Sequence, residues 1–372
     1  MKFLVLNYWF KGYTGSEINA LQISEALISM GHEAEIGTFI AKPPLLKIAH
    51  SRGIRVINLL DNIEKPLNYD VIWAHHSPVL AHLLFHRKID NCRVLFSSLS
   101  SFMDLECPPT FHSALPLFLA NSELVGNVVN MNEVPQEKIH VFPNFAPATY
   151  FKMVPRKFGK TPNRIVVVSN HPPVEIMDFC ALARKNGCNV DMIGLNNKAV
   201  FVDGEFLEPY DLIISIGKTI FYGFALRIPV YCYDHFGGSG YITPENFNIN
   251  RTHNFSGRGI DRNLNGEEIL HDIFDNYENN LMNVDFLYEA AKVYFHLEKN
   301  LQKIIDLIQN LPVLDVQHFR DTHSLDKRVY GLILEPVVKA NKISKKYPGM
   351  MLVLDYLKST KLAGLVRKRG LS

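Results

Sequence analysis

What most constrains this chain is a series of short apolar runs separated by helix-length segments, a pattern that occurs twice. In the first half the runs are Phe3–Leu6, Ala34–Phe39, Arg55–Leu59, Asp70–Ala74, Val94–Phe96 and Leu117–Ala120. In the second they are Arg164–Val168, Val190–Ile193, Leu212–Ile216 and Val230–Tyr233. They are short and largely unalternating, so they predict strands buried on both faces, as in a parallel sheet covered by helices. Helical periodicity fills the gaps. Glu17–Met30 ends at Gly31, Val174–Asn186 follows the first strand of the second half, and the chain turns helical from about Gly266. The expectation is α/β: two successive units of similar size.

Between the units the periodicity stops. Pro143-Asn144 closes the first, and Ala146–Asn163 is Pro-bearing, basic and aperiodic, as a connection is. The expected division is residues 1–148, a linker over 149–163, a second unit over 164–310 and a helical, basic tail over 311–372. At 372 residues and 47% hydrophobic, the chain is long enough for two cores and too apolar for disorder. The net charge of +2 argues against a nucleic-acid partner. The tail departs from this balance. From Lys339 to Ser372 nine Lys/Arg face one acid, Asp355, a net of +8, which leaves −6 for the rest. Five cysteines with no CxxC spacing point to reduced thiols, with neither a disulfide framework nor a zinc site. No run reaches the roughly 18 apolar residues of a membrane span, and the apolar start breaks at Asn7. A cytoplasmic protein is expected, or one peripheral on the cytosolic face of the inner membrane.

The segment Asp211–Gly259 carries the densest chemistry: strand, turn, helix, strand, glycine-rich stretch. Gly217, Lys218 and Thr219 follow a strand and open a helix, where backbone amides and a point charge suit a phosphate. A Walker A loop needs glycine five positions before Gly217; Leu212 stands there, which excludes that motif. Gly237 and Gly238 after the next strand read as a loop that a ligand could approach closely. Glu245, Asn246 and Arg258 lie just beyond, as hydroxyl and phosphate contacts. In the first unit, Gly12 and Gly15 flank the turn before the first helix. Their spacing is not GxGxxG, which argues against a dinucleotide site. His75 and His76 end a strand, where ligands of open α/β sheets bind, and supply candidate bases. The Ser97–Ser101 loop and Glu106 extend that list.

These motifs together resemble GT-B glycosyltransferases of the bacterial family-4-like type, over roughly residues 1–310. KGYTGSE and its helix look like the N-terminal glycine-rich loop. LANSELVGNVV followed by VPQEKIHVFPNF looks like the passage that ends the family's first domain. GKTIFYGFALRIPVYCYDHFGGSGYITPENF, with the later NFSGR, resembles a subgroup's nucleotide-sugar site. The resemblance implies two Rossmann-like domains facing a cleft, acceptor on the first and donor nucleotide on the second, with neither metal nor cofactor. It carries over Gly12, Gly15, Lys218, Gly237 and Gly238, and places Asn170 and His171 where the second domain opens onto the cleft. The chain also departs from it. The family's two glutamates fall on Tyr222 and near Ile214, and Ser97 and Ser98 stand where a cleft histidine is usual.

The implied activity is transfer of a sugar, with retention of configuration, from a nucleoside-diphosphate sugar to a glycan or lipid-linked acceptor of surface polysaccharide or lipopolysaccharide. Lys218 and Arg258 would offset charge on the departing diphosphate. Two other classes compete. A sugar-nucleotide epimerase of the same fold needs a carboxylate pair, and a degenerate transferase acting as a binding partner needs no catalysis. The tail, mixing cations with apolar residues over 339–372, suits an anionic membrane surface.

Overall fold

The computed structural model describes residues 1–346, apart from 101, 155–156, 195–197 and 261. Most of the basic tail, from 347 onward, therefore lies outside the described residues.

The first unit contributes strands β1 (Lys2–Leu6), β2 (Trp9–Phe10), β3 (Glu33–Thr38), β4 (Ile40–Ala41), β5 (Arg55–Asn58), β6 (Val71–Ala74), β7 (Arg93–Ser98), β8 (Leu117–Ala120) and β9 (Ile139–Val141). Seven of them form one parallel sheet in the order β5-β3-β1-β6-β7-β8-β9; β2 and β4 pair separately. In β1, Phe3 and Val5 join Val71, Trp73 and Leu95 on one face. Leu4 and Leu6 join Ile72, Ala74, Val94 and Phe96 on the other. Both faces are apolar because helices cover both, so the expected lack of alternation has its cause here.

The second unit contributes β10 (Arg164–Val168), β11 (Asn189–Ile193), β12 (Leu212–Ser215), β13 (Val230–Asp234) and β14 (Gly237–Tyr241), in the order β11-β10-β12-β13-β14. Only β14 runs antiparallel to its neighbour. Here the sequence expectation fails. Gly237 and Gly238 are not a ligand loop; they begin an edge strand folded back on β13. A Cβ on Gly238 would stand 1.9 Å from the Cys232 carbonyl oxygen, so glycine serves strand-to-strand contact rather than ligand contact.

The connections hold the units together. Phe295 ends one helix inside the aromatic cluster of the second unit, and Leu297 begins the next on the first unit. At this crossing the Ala146 amide donates to Phe295 O at 2.9 Å, and the Leu297 amide donates to Ala146 O at 3.0 Å. The two interdomain strands of chain thus run side by side. The Leu297–Gln309 helix, which falls within the 164–310 unit of the sequence reading, covers the first sheet with Leu301, Ile304, Ile305 and Ile308. The helices Val316–Thr322 and Ser324–Lys346 likewise pack on the first unit through Phe319, Tyr330 and Leu334. Phe319 stacks on Phe85 at a centroid distance of 5.0 Å and meets Phe111 edge-on at 5.2 Å. All five cysteines are free.

Phe319→Ala removes the ring that joins the C-terminal helices to the first unit. We expect a loss of about 3–5 kcal/mol, read by urea unfolding, with protease cleavage appearing first beyond residue 311.

Candidate active site

The parallel strands of both sheets end at the cleft. Beyond the carboxyl ends of β10 to β13 lies a cavity of about 350 Å³, closed on the opposite side by Tyr13, Gly15 and Ile18 of the first unit. A second cavity of about 340 Å³ lies on the first-unit side, with Trp9, His76, Glu106 and Asn121 in its lining. Gly15 and Lys218 line both.

Lys218 therefore forms part of the wall between the two. It opens the Lys218–Leu226 helix, whose N-cap Gly217 has φ +58° and ψ −128°, a backbone geometry that excludes side chains. The Gly217 amide is spent on Phe255 O at 2.7 Å, so it is not an anion donor. The first-turn positions Lys218 and Thr219 line the first cavity instead. The Lys218 ammonium donates to Asn19 Oδ1 of the first unit and sits 3.8 Å from the centroid of the Phe145 ring. Among the described residues no carboxylate pairs with it. Desolvation holds its pKa well below the ordinary lysine value, although the side chain keeps some contact with the cavities. A cation placed so, at a helix N-terminus and short of a counter-charge, has the electrostatics that suit an anion.

One turn along the helix from Lys218 sits Tyr222, where the resemblance places a glutamate. Its buried hydroxyl lies 3.0 Å from Gln22 Oε1 across the cleft and donates to it. Ile214, near the other glutamate position, is buried in β12. Asn170 and His171 line the first cavity. There they meet residues that sequence reasoning missed: Ser169, whose hydroxyl donates to Asp234 Oδ2 at 2.9 Å, and His235, whose amide donates to Asp234 Oδ1 at 2.8 Å. The available signal was their place just after β10 and β13.

The other expected residues divide. Gly15 lines the cleft, but Gly12 does not, and the physical reason is Glu17. Its buried carboxylate accepts the Lys11 and Gly12 amides at 2.7 and 2.9 Å and the Thr14 amide at 3.1 Å. That turn is already filled by an anion of its own and offers these amides to no phosphate. His75 and His76 end a strand and point to opposite sides. His75 is fully buried, with neither ring nitrogen partnered among the described residues, and burial lowers its pKa to about 3; it is a neutral core residue. His76 faces the second cavity. Its Nδ1 accepts the Tyr8 amide at 2.8 Å, so its proton resides on Nε2, which faces Glu106 Oε1 at 3.7 Å.

Glu245 is exposed and lines neither cavity. Asn246 is consumed in its own turn, accepting the Thr243 amide at 3.0 Å and donating to Tyr241 O at 2.9 Å. Arg258 also lies outside both linings; its guanidinium is held between Phe236 at 3.7 Å and Phe102 at 4.2 Å, one ring from each unit. In the serine loop, Ser97 accepts the Trp73 indole N–H at 2.7 Å, Ser98 donates to Glu106 O at 2.8 Å, and Ser101 lies outside the described residues.

No family model matches the chain, and no curated protein matches it in sequence. Solved structures do match in fold. HepE of Anabaena, solved with UDP-glucose, superposes with a TM-score of 0.55 at 14% identity, over 84% of this chain and 100% of that one. TarM of S. aureus, solved with UDP, Fondaparinux and alpha-GlcNAc-glycerol, gives 0.54 at 11% identity, over 83% and 100%. A glycosyltransferase from Rickettsia africae gives 0.51 at 15% identity, over 83% and 98%. At such identities the likeness is one of architecture. The chain has the GT-B fold, two Rossmann-like units facing a cleft.

Binding of an anion beside Lys218 raises a pKa that desolvation has lowered, so binding takes up protons. Titration with pyrophosphate at a series of pH values, in buffers of different ionisation enthalpy, should show net proton uptake where Lys218 of the free protein is deprotonated, and Lys218→Met should lose that component.

Proposed function

We propose that this protein is a glycosyltransferase that moves a sugar from a nucleoside-diphosphate sugar to a glycan or lipid-linked acceptor of a bacterial surface polysaccharide. One observation carries the reading. A cation without a carboxylate partner, at the first turn of a helix, stands between two cavities in the cleft of a GT-B fold. In the first cavity, the apolar wall at Ile193, Val200 and Val202 suits a nucleobase, and Lys218 with the first-turn amides suits the diphosphate. In the transition state the departing diphosphate gains charge, and Lys218 stabilises it in a site from which the two facing units exclude water. Lysine thereby supplies the charge that a metal could otherwise bring, and transfer should persist in EDTA. The cavity's one carboxylate in the described lining, Asp234, is engaged by Ser169 and by its neighbour's amide. That disfavours the epimerase reading, which needs a pair free to move protons.

A thermal-shift panel of UDP-, GDP-, ADP- and CMP-sugars tests the donor assignment, since a ligand stabilises the folded state in proportion to its occupancy. One diphosphate sugar should raise Tm, and Lys218→Ala should remove the shift and lower turnover by about 10²–10³-fold. Wild-type transfer by that variant removes Lys218 from the mechanism. A donor that binds without any release of nucleoside diphosphate favours the degenerate binding partner.

We also propose attachment to an anionic membrane surface through the basic tail over 339–372. The helix that leads into it supports this reading. Leu325, Val329, Leu332 and Ile333 form one exposed apolar stripe, with relative exposures of 71, 39, 72 and 54%, and Lys327 and Arg328 are exposed beside it. No helix among the described residues is long and apolar enough to cross a membrane. In flotation with phosphatidylglycerol vesicles the full chain should rise and a chain ending at residue 338 should bind more weakly. Equal binding by both overturns the role of the tail.

A further inference from the structure

The second cavity contains a carboxylate that nothing so far has used. Glu106 is 6% exposed, yet it lines the cavity. Its backbone is fixed on two sides: Ser98 at the end of β7 donates to its carbonyl at 2.8 Å, and Ser77 donates to the adjacent Leu105 carbonyl at 3.4 Å. Its two oxygens differ. Oε1 faces the protonated Nε2 of His76 at 3.7 Å. Oε2 is buried and has no hydrogen-bond partner among the described residues. Asn121, which also lines this cavity, carries a second such oxygen, its buried Oδ1, while its amide nitrogen is held by Leu99 O. Two buried acceptors without donors carry a desolvation cost that a ligand bearing hydroxyl groups relieves. Lys218, the proposed partner of the leaving group, lines the same cavity.

We propose that Glu106 is the general base that activates the acceptor, and that transfer proceeds with inversion. The inference rests on the donor reading given above. The acceptor hydroxyl donates its hydrogen bond to Glu106 Oε2, with Asn121 Oδ1 taking a neighbouring hydroxyl. The acceptor oxygen forms its bond to the anomeric carbon as the bond from that carbon to the diphosphate oxygen breaks. The electron pair leaves with the diphosphate beside Lys218, and the acceptor's proton passes to Glu106. His76, its Nδ1 fixed by the Tyr8 amide, is a positioning residue that keeps the carboxylate oriented. Attack by a hydroxyl activated by a protein base of its own, with the β-phosphate taking no proton, is a single displacement. This differs from the retention that family resemblance implies, where the β-phosphate accepts that proton.

The test uses the full chain and water as the acceptor, with the donor from the panel that raises Tm most. Proton NMR of the slow hydrolysis identifies the sugar anomer released first. The expected product has the configuration opposite to the donor's. Glu106→Gln should keep the donor-induced Tm shift, which shows that it is folded and binds. Its release rate should fall by about 10²–10⁴-fold. A first-released anomer that matches the donor, or a rate in Glu106→Gln near that of the wild type, overturns the proposal while leaving the donor site standing. Absence of a Tm shift in the wild type with every donor overturns the donor reading and this proposal with it.

Discussion

Two helices meet across the cleft, and the site depends on that seam. Asn19 and Gln22 lie three apart on the Gly15–Ser29 helix of the first unit; Lys218 and Tyr222 lie four apart on the Lys218–Leu226 helix of the second. Each pair occupies one helical face, so Asn19 reaches Lys218 while Gln22 meets Tyr222. In a buried seam a polar group without a partner is costly. The two contacts therefore specify how the units face each other, beyond what apolar packing alone would specify. An anion bound beside Lys218 would compete with Asn19 for the same ammonium, which would couple its binding to the seam through one side chain.

A second economy concerns which donors are already spent. Parallel strands bring every loop after a strand to one edge, so many amides and polar side chains collect at the cleft. Most are engaged by the protein itself. Glu17 closes the first turn, Phe255 takes the Gly217 amide, and Asp234 holds Ser169 and His235. Among the described residues of the two cavities, what lacks a counter-charge or a donor is asymmetric: a cation on the second unit, held by Asn19 but by no carboxylate, and on the first unit two oxygens without donors. That asymmetry matches a reaction in which charge builds on one side of the cleft and a proton leaves on the other.

Strand positions were legible because each depends on a few consecutive residues. Arg164–Val168 and Leu117–Ala120 stand as the apolar runs place them. The glycines were harder. Gly237 and Gly238 carry the same composition as a ligand loop, yet the close approaches they permit are to the chain itself, Gly237 to Arg262 and Gly238 to Cys232 of the neighbouring strand. Glycine in sequence signals that something comes near and does not say what. The Leu297–Gln309 helix is amphipathic in its own sequence, but the partner for its apolar face is chosen at the crossing beside Ala146.

The sequence by itself determined the α/β alternation, its occurrence in two units, and a lysine at the glycine turn before a helix. Those properties are local: side-chain period, turn chemistry and the neighbours in the chain decide them. Only the tertiary structure decided which candidates have chemistry left to offer. It separated Gly15 from Gly12, His76 from the buried His75, and Lys218 from Arg258, and it brought Glu106 into the cleft. The reason is that a hydrogen-bond partner, a counter-charge and access to a cavity are supplied by distant parts of the chain. Whether a polar group is free or spent is therefore settled only when the fold is complete.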